Sequence, residues 1–212
     1  MKYIIGCGGL AKEVLFLLEE VEGSLNDFKG FIDYKPNKNK IFCRGNFFDI
    51  IDESYFLQNM NKKDEIELFL GIGDPKKIKN IQSKFNDFLF PNLIHKSIIG
   101  DFKSINLGKG NIIAPGCIFT VDISIGSFNI FNLNTTVGHD VIIQDGNIFN
   151  PGCNVSGNVN IESNNLFGTN STILQGISIG SNNTLGASSL ANKNIQNNSI
   201  MVGVPAKMLQ KK

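Results

Sequence analysis

The chain has 212 residues, enough for one large domain or two small ones, and its 42% apolar content is ordinary for a globular protein. A formal net charge of +1, with lysines scattered rather than clustered, gives no electrostatic basis for binding nucleic acid or an anionic membrane surface. The apolar start, residues 2–6, is too short for a signal peptide and no stretch approaches a transmembrane span. The four cysteines (Cys7, Cys43, Cys117 and Cys153) show no C-x-x-C spacing, so free thiols in a reducing cytoplasm are expected.

Residues 2–6 (Lys-Tyr-Ile-Ile-Gly) read as a buried strand. Gly6, Gly8 and Ala11 then match G-x-G-x-x-A, and residues 11–20 carry Val14, Leu15, Leu17 and Leu18 at helical spacing. A second strand, residues 28–32, ends at Asp33, about 20 residues after Ala11. This is the strand–turn–helix–strand context of a nucleotide-binding turn. Glycines let the backbone approach a phosphate, the helix N-terminus attracts it, and an acid can meet a ribose hydroxyl. The plainer alternative is that the glycines only make a tight turn and pack the helix. Residues 48–60 are expected to form another helix. Residues 66–70 read as a third strand, followed by Gly71-Ile72-Gly73. Asp74-Pro75 then opens a helix with a capping acid and proline at its first position. A region of this size is half a dinucleotide-binding fold, which favours a mononucleotide or nucleotide sugar over NAD.

The second half is a repeat. Every sixth residue from Leu107 to Leu185 (Leu107, Ile113, Phe119, Ile125, Phe131 and onward) is large and apolar. At 42% apolar content, such a run arises by chance in one phase with a probability on the order of 10⁻⁵ to 10⁻⁶, and no helix has that period. An 18-residue period lies over it: Ile105, Ile123, Val141, Val159, Ile177 and Ile195 recur, as do Asn111, Asn129, Asn147, Asn165 and Asn183. Three hexads therefore make one turn of a triangular prism of short parallel strands about 4.8 Å apart. Phe131, Phe149 and Phe167 should stack inside it, flanked by Ile113 and Leu185. The Asn column is expected at a tight corner, because Asn tolerates left-handed backbone. Cys117, Thr135, Cys153 and Ser171 form a small-residue column, which makes the two cysteines packing residues rather than nucleophiles.

The prism resembles the left-handed parallel β-helix of hexapeptide-repeat acyltransferases; the left hand is implied by that resemblance, since the period alone does not fix it. Val202-Gly203-Val204-Pro205-Ala206-Lys207 looks like their closing segment. The order of Gly6-Cys7-Gly8-Gly9-Leu10-Ala11, Gly30-Phe31-Ile32-Asp33, Gly71-Ile72-Gly73-Asp74 and Asn92-Leu93-Ile94-His95 extends the likeness over nearly the whole chain. It resembles the sialic acid O-acetyltransferase and UDP-4-amino-sugar N-acetyltransferase family. The resemblance implies a Rossmann-like α/β half domain at 1–94 that binds the sugar substrate. Gly6, Gly8, Gly9, Leu10, Asp33 and Gly73 are its candidate contacts. It implies a β-helix domain at 95–212 that binds acetyl-CoA, with Gly157, Gly168, Gly186, Gly203, Pro205 and Lys207 as candidate contacts. It also implies a homotrimer with each active site between two prisms. Many relatives have His where this chain has Leu10, and some have a second His where it has Ile148.

Only two histidines are present, His95 and His139. His139 falls on an outward corner of the repeat, where an imidazole has no core-packing reason to stand, and Asp140 follows it. In similar enzymes the equivalent His takes the proton from the acceptor amine or hydroxyl, a task suited to a base that titrates near neutrality. Asp140 can orient the ring, provided the chain bends, since adjacent strand residues point opposite ways. Gly157, one turn beyond, is the candidate donor to the charge that develops on the carbonyl oxygen. His95, where the two halves meet, is expected to be structural. N-acetylation of a nucleotide-linked amino sugar in surface glycan synthesis and O-acetylation of a sugar acid such as sialic acid both remain open. A metal-dependent hydratase would require three His ligands and is rejected, so no metal is expected. A non-catalytic binding β-helix is the alternative from another class.

Overall fold

Strand and helix patterns in the first half resolve into one five-stranded sheet. In a computed structural model, which describes residues 1–60 and 63–209, the chain divides into two units: residues 1–73 with 77–93, and residues 74–76 with those from 94 on. The first unit runs β1 (Lys2–Ile5), α1 (Gly9–Glu22), β2 (Phe28–Asp33), β3 (Lys40–Cys43), β4 (Asn46–Asp52), α2 (Glu53–Asn59) and β5 (Glu67–Leu70), and α3 (Pro75–Lys84) follows. The sheet order is β3-β4-β2-β1-β5, with β3 antiparallel to β4 and the other pairings parallel. Strands build outward from β1 to β2 and β4, then return to the other side of β1 as β5. The order therefore reverses at β1, and open α/β sheets bind ligands beyond the carboxyl ends of their strands at such a point.

The helix expected over residues 48–60 is corrected: its first part is strand β4, and only Glu53–Asn59 is helical. A two-residue turn, Arg44 (φ 51°) and Gly45 (φ 78°), folds β3 back onto β4. This left-handed pair matches the twist of a hairpin and commits Phe47 and Phe48 to pairing with β3, while Ile50 and Ile51 pair with β2. Asp52 then starts α2, its Oδ1 accepting from the N–H groups of Ser54 (2.9 Å) and Tyr55 (3.1 Å). At α3, Asp74 accepts from the N–H of Lys76 at 2.9 Å, the capping expected there. Ile4, Phe31, Ile32, Leu15 and Leu18 are fully buried.

In the second unit, short parallel strands stack into three faces. The first includes Ile118–Phe119, Thr136–Val137, Asn154–Val155 and Thr172–Ile173. The second includes Ile105–Leu107, Ile123–Ile125, Ile142–Ile143 and Asn160–Ile161. The third includes Ile112–Ile113, Ile130–Phe131, Ile148–Phe149 and Leu166–Phe167. Partners are offset by 18 residues, as in Phe131↔Phe149 and Val137↔Val155. The inward columns are the expected ones. Phe131, Phe149 and Phe167 stack with centroids 4.7 Å apart and interplanar angles of 5° and 12°, so their spacing is that of the strands. Cys117 and Cys153 are buried, and burial pushes both thiols up, Cys117 to about 11.

Every sixth residue from Gly110 to Ser188 has positive φ, including Asp122, Phe128, Asn134, Asp140, Asn158 and Asn170. Each hexad thus turns its corner on one left-handed residue. The Asn column does not do this, which corrects the expectation. Asn111, Asn129, Asn147, Asn165 and Asn183 are buried instead, and each Oδ1 accepts the backbone N–H of the residue stacked on the next turn. The distances are 2.9 Å to Asn129, 2.8 Å to Asn147, 2.9 Å to Asn165, 2.8 Å to Asn183 and 2.7 Å to Ser199. Most of the Nδ2 groups return to carbonyls of their own corner, as from Asn147 to Gln144 (3.0 Å) and Asn165 to Glu162 (2.9 Å), while that of Asn129 donates to Asn111 Oδ1 (3.2 Å). Side chains therefore satisfy backbone groups that the strand ladder leaves over inside the prism. Replacing Asn147 by Ala strands the buried N–H of Asn165 and should lower stability by about 2–3 kcal/mol. Urea unfolding checks this, with the exposed Asn160→Ala expected within about 0.5 kcal/mol of wild type.

Candidate active site

At the carboxyl ends of β1, β2 and β4 lies a cleft of about 360 Å³, with Ile5, Ile32, Ile72 and Ile81 as its apolar lining and Asp33, Tyr34, Glu53, Lys77, Asn80 and Lys84 as its polar groups. Gly6 leads into it at φ 103°, and a Cβ there would fall 2.8 Å from the Gly71 carbonyl oxygen, so only glycine fits. Gly8 caps α1 without a side-chain bond, and no acid stands in the first turn. Nothing lies within 4 Å of where a Cβ on Gly8 or Gly9 would be. The uncapped N-terminus of α1 is thus open to an anion. Asp33 accepts from the Tyr34 N–H at 2.8 Å and from the Cys7 thiol.

Of the expected contacts, the structure puts Asp33 in the cleft wall and Gly6 at the turn that follows β1. Gly8, Gly9 and Leu10 form the cap and first turn of α1. Gly73 is exposed beside Leu10, where a Cβ would lie 3.5 Å from Leu10 Cδ2. Sequence reasoning missed Tyr34, Glu53, Lys77, Asn80 and Lys84. Lys77, Asn80, Ile81 and Lys84 share one face of α3, so a helical stripe was the available signal. Lys84 pairs with Glu53 at 2.5 Å and sits 5.5 Å from the Tyr34 ring centroid.

His139 stands on the corner that follows the first face of the prism. Asp140 is that corner's left-handed residue, at φ 57°. This supplies the bend the pair requires: the Asp140 carboxylate turns back to His139, with Nδ1 and Oδ2 2.8 Å apart. Backbone bonds hold both sides of the corner, Asp140 N–H to Val121 O (3.3 Å) and Asn158 N–H to His139 O (2.8 Å). Both side chains are about half exposed, 52% and 63%. A carboxylate at Nδ1 places the ring proton there, leaving the Nε2 lone pair outward and free.

Gly157 lies directly under the ring. A Cβ on it would fall 2.5 Å from His139 Nε2, and a Cβ on Gly138 would fall 2.7 Å from Gly157 N. Close backbone approach therefore demands glycine at 138, and a side chain at 157 would displace the imidazole. Among the described residues, the Gly157 N–H has no acceptor, although the residue itself is buried. His139 Nε2 and the Gly157 backbone, whose N–H is unpaired, thus lie side by side on one corner.

His95 is bonded differently. Its Nδ1 accepts from the Ser97 N–H (3.1 Å) and lies 2.7 Å from Ser97 Oγ, which itself accepts from the Gly116 N–H (3.2 Å). These bonds staple the start of the coil and keep the proton on Nε2. Gly168 and Gly186 occupy the corner that follows the third face, a different prism edge from His139. A Cβ on Gly168 would fall against Ala187 N, so stacking alone requires that glycine. Gly203 and Pro205 lie in the turn of a closing antiparallel hairpin, in which Lys207 pairs with Val202. Among the described residues, no cluster of His, Cys, Asp and Glu could hold a metal ion, and no helix is long and apolar enough to cross a membrane.

Residues 3–85 match the PglD N-terminal domain family. No curated protein matches the chain. Among solved structures, PerB of Caulobacter crescentus, in complex with CoA and GDP-perosamine, is similar at 25% identity and a TM-score of 0.87, over 99% of this chain and 97% of that one. The acetyltransferase domain of PglB from Neisseria gonorrhoeae is similar at 23% identity and 0.86, over 98% of each. WeeI from Acinetobacter baumannii is similar at 23% and 0.83, over 99% of each. The expected resemblance is borne out, as is the architecture of an α/β domain followed by a left-handed parallel β-helix.

The two histidines should hold opposite tautomers in their neutral forms, His139 with its proton on Nδ1 and His95 on Nε2. Ring ¹⁵N chemical shifts distinguish them, and Asp140→Ala should remove the preference of His139 alone. A wild-type His139 protonated on Nε2 would show that the Asp140 bond does not set its tautomer.

Proposed function

From a PglD N-terminal domain at residues 3–85 joined to a hexapeptide β-helix, we propose that this protein is an acetyl-CoA-dependent acetyltransferase that acetylates the amine of a nucleotide-linked amino sugar. The observation that carries the reading is the His139–Asp140 pair, whose free Nε2 stands over Gly157. Support comes from PerB, solved with CoA and GDP-perosamine, and from PglB, solved with acetyl coenzyme A. Variants of the perosamine enzyme with a histidine replaced by asparagine or alanine have also been solved.

In the proposed reaction the sugar amine attacks the thioester carbonyl as His139 Nε2 takes its proton. Asp140 stabilises the imidazolium that forms. The Gly157 N–H meets the oxygen as it becomes an oxyanion, a donor worth far more in place than one that must reorient. Collapse of the tetrahedral intermediate breaks the C–S bond, and the imidazolium proton passes to the CoA thiolate. Acetyl-CoA is a co-substrate here and no metal takes part. A shallow groove of about 350 Å³ on the second face, lined by Ile142, Asn160, Ser178 and Asn194 among others, begins two residues beyond Asp140 and suits its extended arm.

The remaining assignments are parts of the same proposal. Gly6, Gly8, Gly9, Leu10, Asp33 and Gly73 serve the nucleotide sugar. Gly168, Gly186, Gly203, Pro205 and Lys207 serve acetyl-CoA. Gly168 and Gly186 stand on a different edge from His139, so a homotrimer in which one prism's edge faces another's would join them in one site. Four free thiols, three of them buried, suit a cytoplasmic enzyme, and its product would feed surface glycan synthesis.

The test is CoA release from acetyl-CoA against a panel of nucleotide-linked amino sugars and free sugar acids. Turnover on an amino-sugar nucleotide is expected; turnover confined to a sugar acid would sink the amine reading. His139→Ala should lower kcat by about 10²–10⁴-fold with acetyl-CoA affinity little changed, and unaltered turnover would remove His139 from the mechanism. Gly157→Ala should lower kcat at least roughly tenfold, because its methyl group takes the space of the imidazole. An active Gly157→Ala enzyme would show that the ring need not stand there.

A further inference from the structure

Cys7 is the one residue of the Gly6-Cys7-Gly8-Gly9 turn with a side chain, and that side chain points to Asp33, where Sγ donates to Oδ2. The other carboxylate oxygen, Oδ1, accepts from the Tyr34 N–H at 2.8 Å. Both oxygens of Asp33 are thus held, one by the end of β2 and one by the turn after β1. Each keeps a further lone pair, and Asp33 lines the cleft. The thiol is half-buried. Burial first, then the bond to Asp33 and its negative charge, push it up to about 11, against an opposing pull from Lys38. At neutral pH it therefore keeps its proton and remains a donor.

We propose that Cys7 is a positioning residue for ribonucleotide recognition: its thiol fixes the Asp33 carboxylate so that the remaining lone pairs accept from the ribose hydroxyls of a nucleoside diphosphate. The inference rests on the nucleotide-sugar reading of the first unit. A carboxylate on a single bond rotates between staggered positions. A donor at one oxygen and a backbone N–H at the other leave it one orientation. Ordering is then complete before the ligand arrives, which raises affinity without adding a contact to it. The thiol itself touches Asp33 and not the ligand, so its removal should weaken binding through the acid alone.

The experiment is calorimetric titration of the full-length protein with UDP and GDP and with their 2′-deoxy counterparts. Whichever ribonucleotide binds the wild type should bind Cys7→Ala about 5- to 20-fold more weakly, between the loss of an ordinary hydrogen bond and that of one to a charged group. Cys7→Ser, which keeps a donor, should return to within about threefold of wild type. The preference for ribose over 2′-deoxyribose should shrink in Cys7→Ala and persist in Cys7→Ser; a merely structural role for the thiol would weaken both ligands alike. If the alanine variant fails to fold, Cys7→Val, which fills the space without a donor, reads the same contrast. Unchanged affinity in Cys7→Ala, or a serine variant as weak as the alanine one, overturns the role of the thiol while the nucleotide reading stands. Absence of any binding by the wild type overturns both.

Discussion

A six-residue coil closes only if the chain turns sharply once per repeat, and here one left-handed residue in each hexad makes that turn. An L-residue enters this region at a cost of roughly 1–2 kcal/mol, least for Gly, Asn and Asp, and those three types fill most of the corners from Gly110 to Asn182. The turn also takes backbone groups off the strand ladder, which is why an internal row of asparagines must follow it up the prism. Corner and ladder are one device. The first gives the coil its bend and the second meets the hydrogen-bonding demand that the bend creates. A corner of the same kind, on another edge, carries the His139–Asp140 pair. Only because Asp140 is left-handed can its carboxylate reach back to the imidazole of the residue before it.

This explains what could be read from the sequence and what could not. The inward columns were legible because each asks one thing, apolar volume at a fixed period, and Phe131, Phe149 and Phe167 answer it in the same way on successive turns. The asparagine column was equally visible but misassigned. A backbone that needs positive φ accepts any of several residues, so its column varies: Asp122, Asp140, Asn158 and Gly176 share one edge. A demand for a particular side-chain donor and acceptor does not vary, and the unbroken run from Asn111 to Asn183 carries that signature. Strict identity in a column marks a side-chain task, and a mixed Gly, Asn and Asp column marks a backbone task.

The first unit was less legible for a different reason. Its hairpin turns on Arg44 and Gly45, and arginine is not among the residues that announce a left-handed first position. The apolar residues of β4 therefore looked like the start of the helix that follows. The cleft is drawn from the ends of β1 and β2, the first residue of α2 and one face of α3. On α3, Lys77, Asn80 and Lys84 read as an ordinary solvated stripe until Glu53 and Tyr34 are seen opposite them. Gly6 and Asp33 stand out in the sequence because their structural places are local: one permits a close turn, the other ends a strand. Residues that act only by meeting others across the fold leave no local trace.

Every turn of the prism offers the same edge after the first face, yet Val121, His139, Gly157 and Gln175 occupy it in succession. The scaffold does not require an imidazole there, since Val121 and Gln175 fill equivalent places. What sets His139 apart is the combination on either side of it. An aspartate stands at the corner that could equally have held glycine, and one turn on is a glycine whose missing Cβ is the space the ring occupies. Because backbone bonds hold each turn to the next, the corner that bears His139, Asp140 and the underlying Gly157 is set by the fold. In the proposed reaction such preset dipoles would lower the barrier most, since none must move as charge develops. A repeat made rigid to close its own corners is therefore already suited to hold one corner still for chemistry.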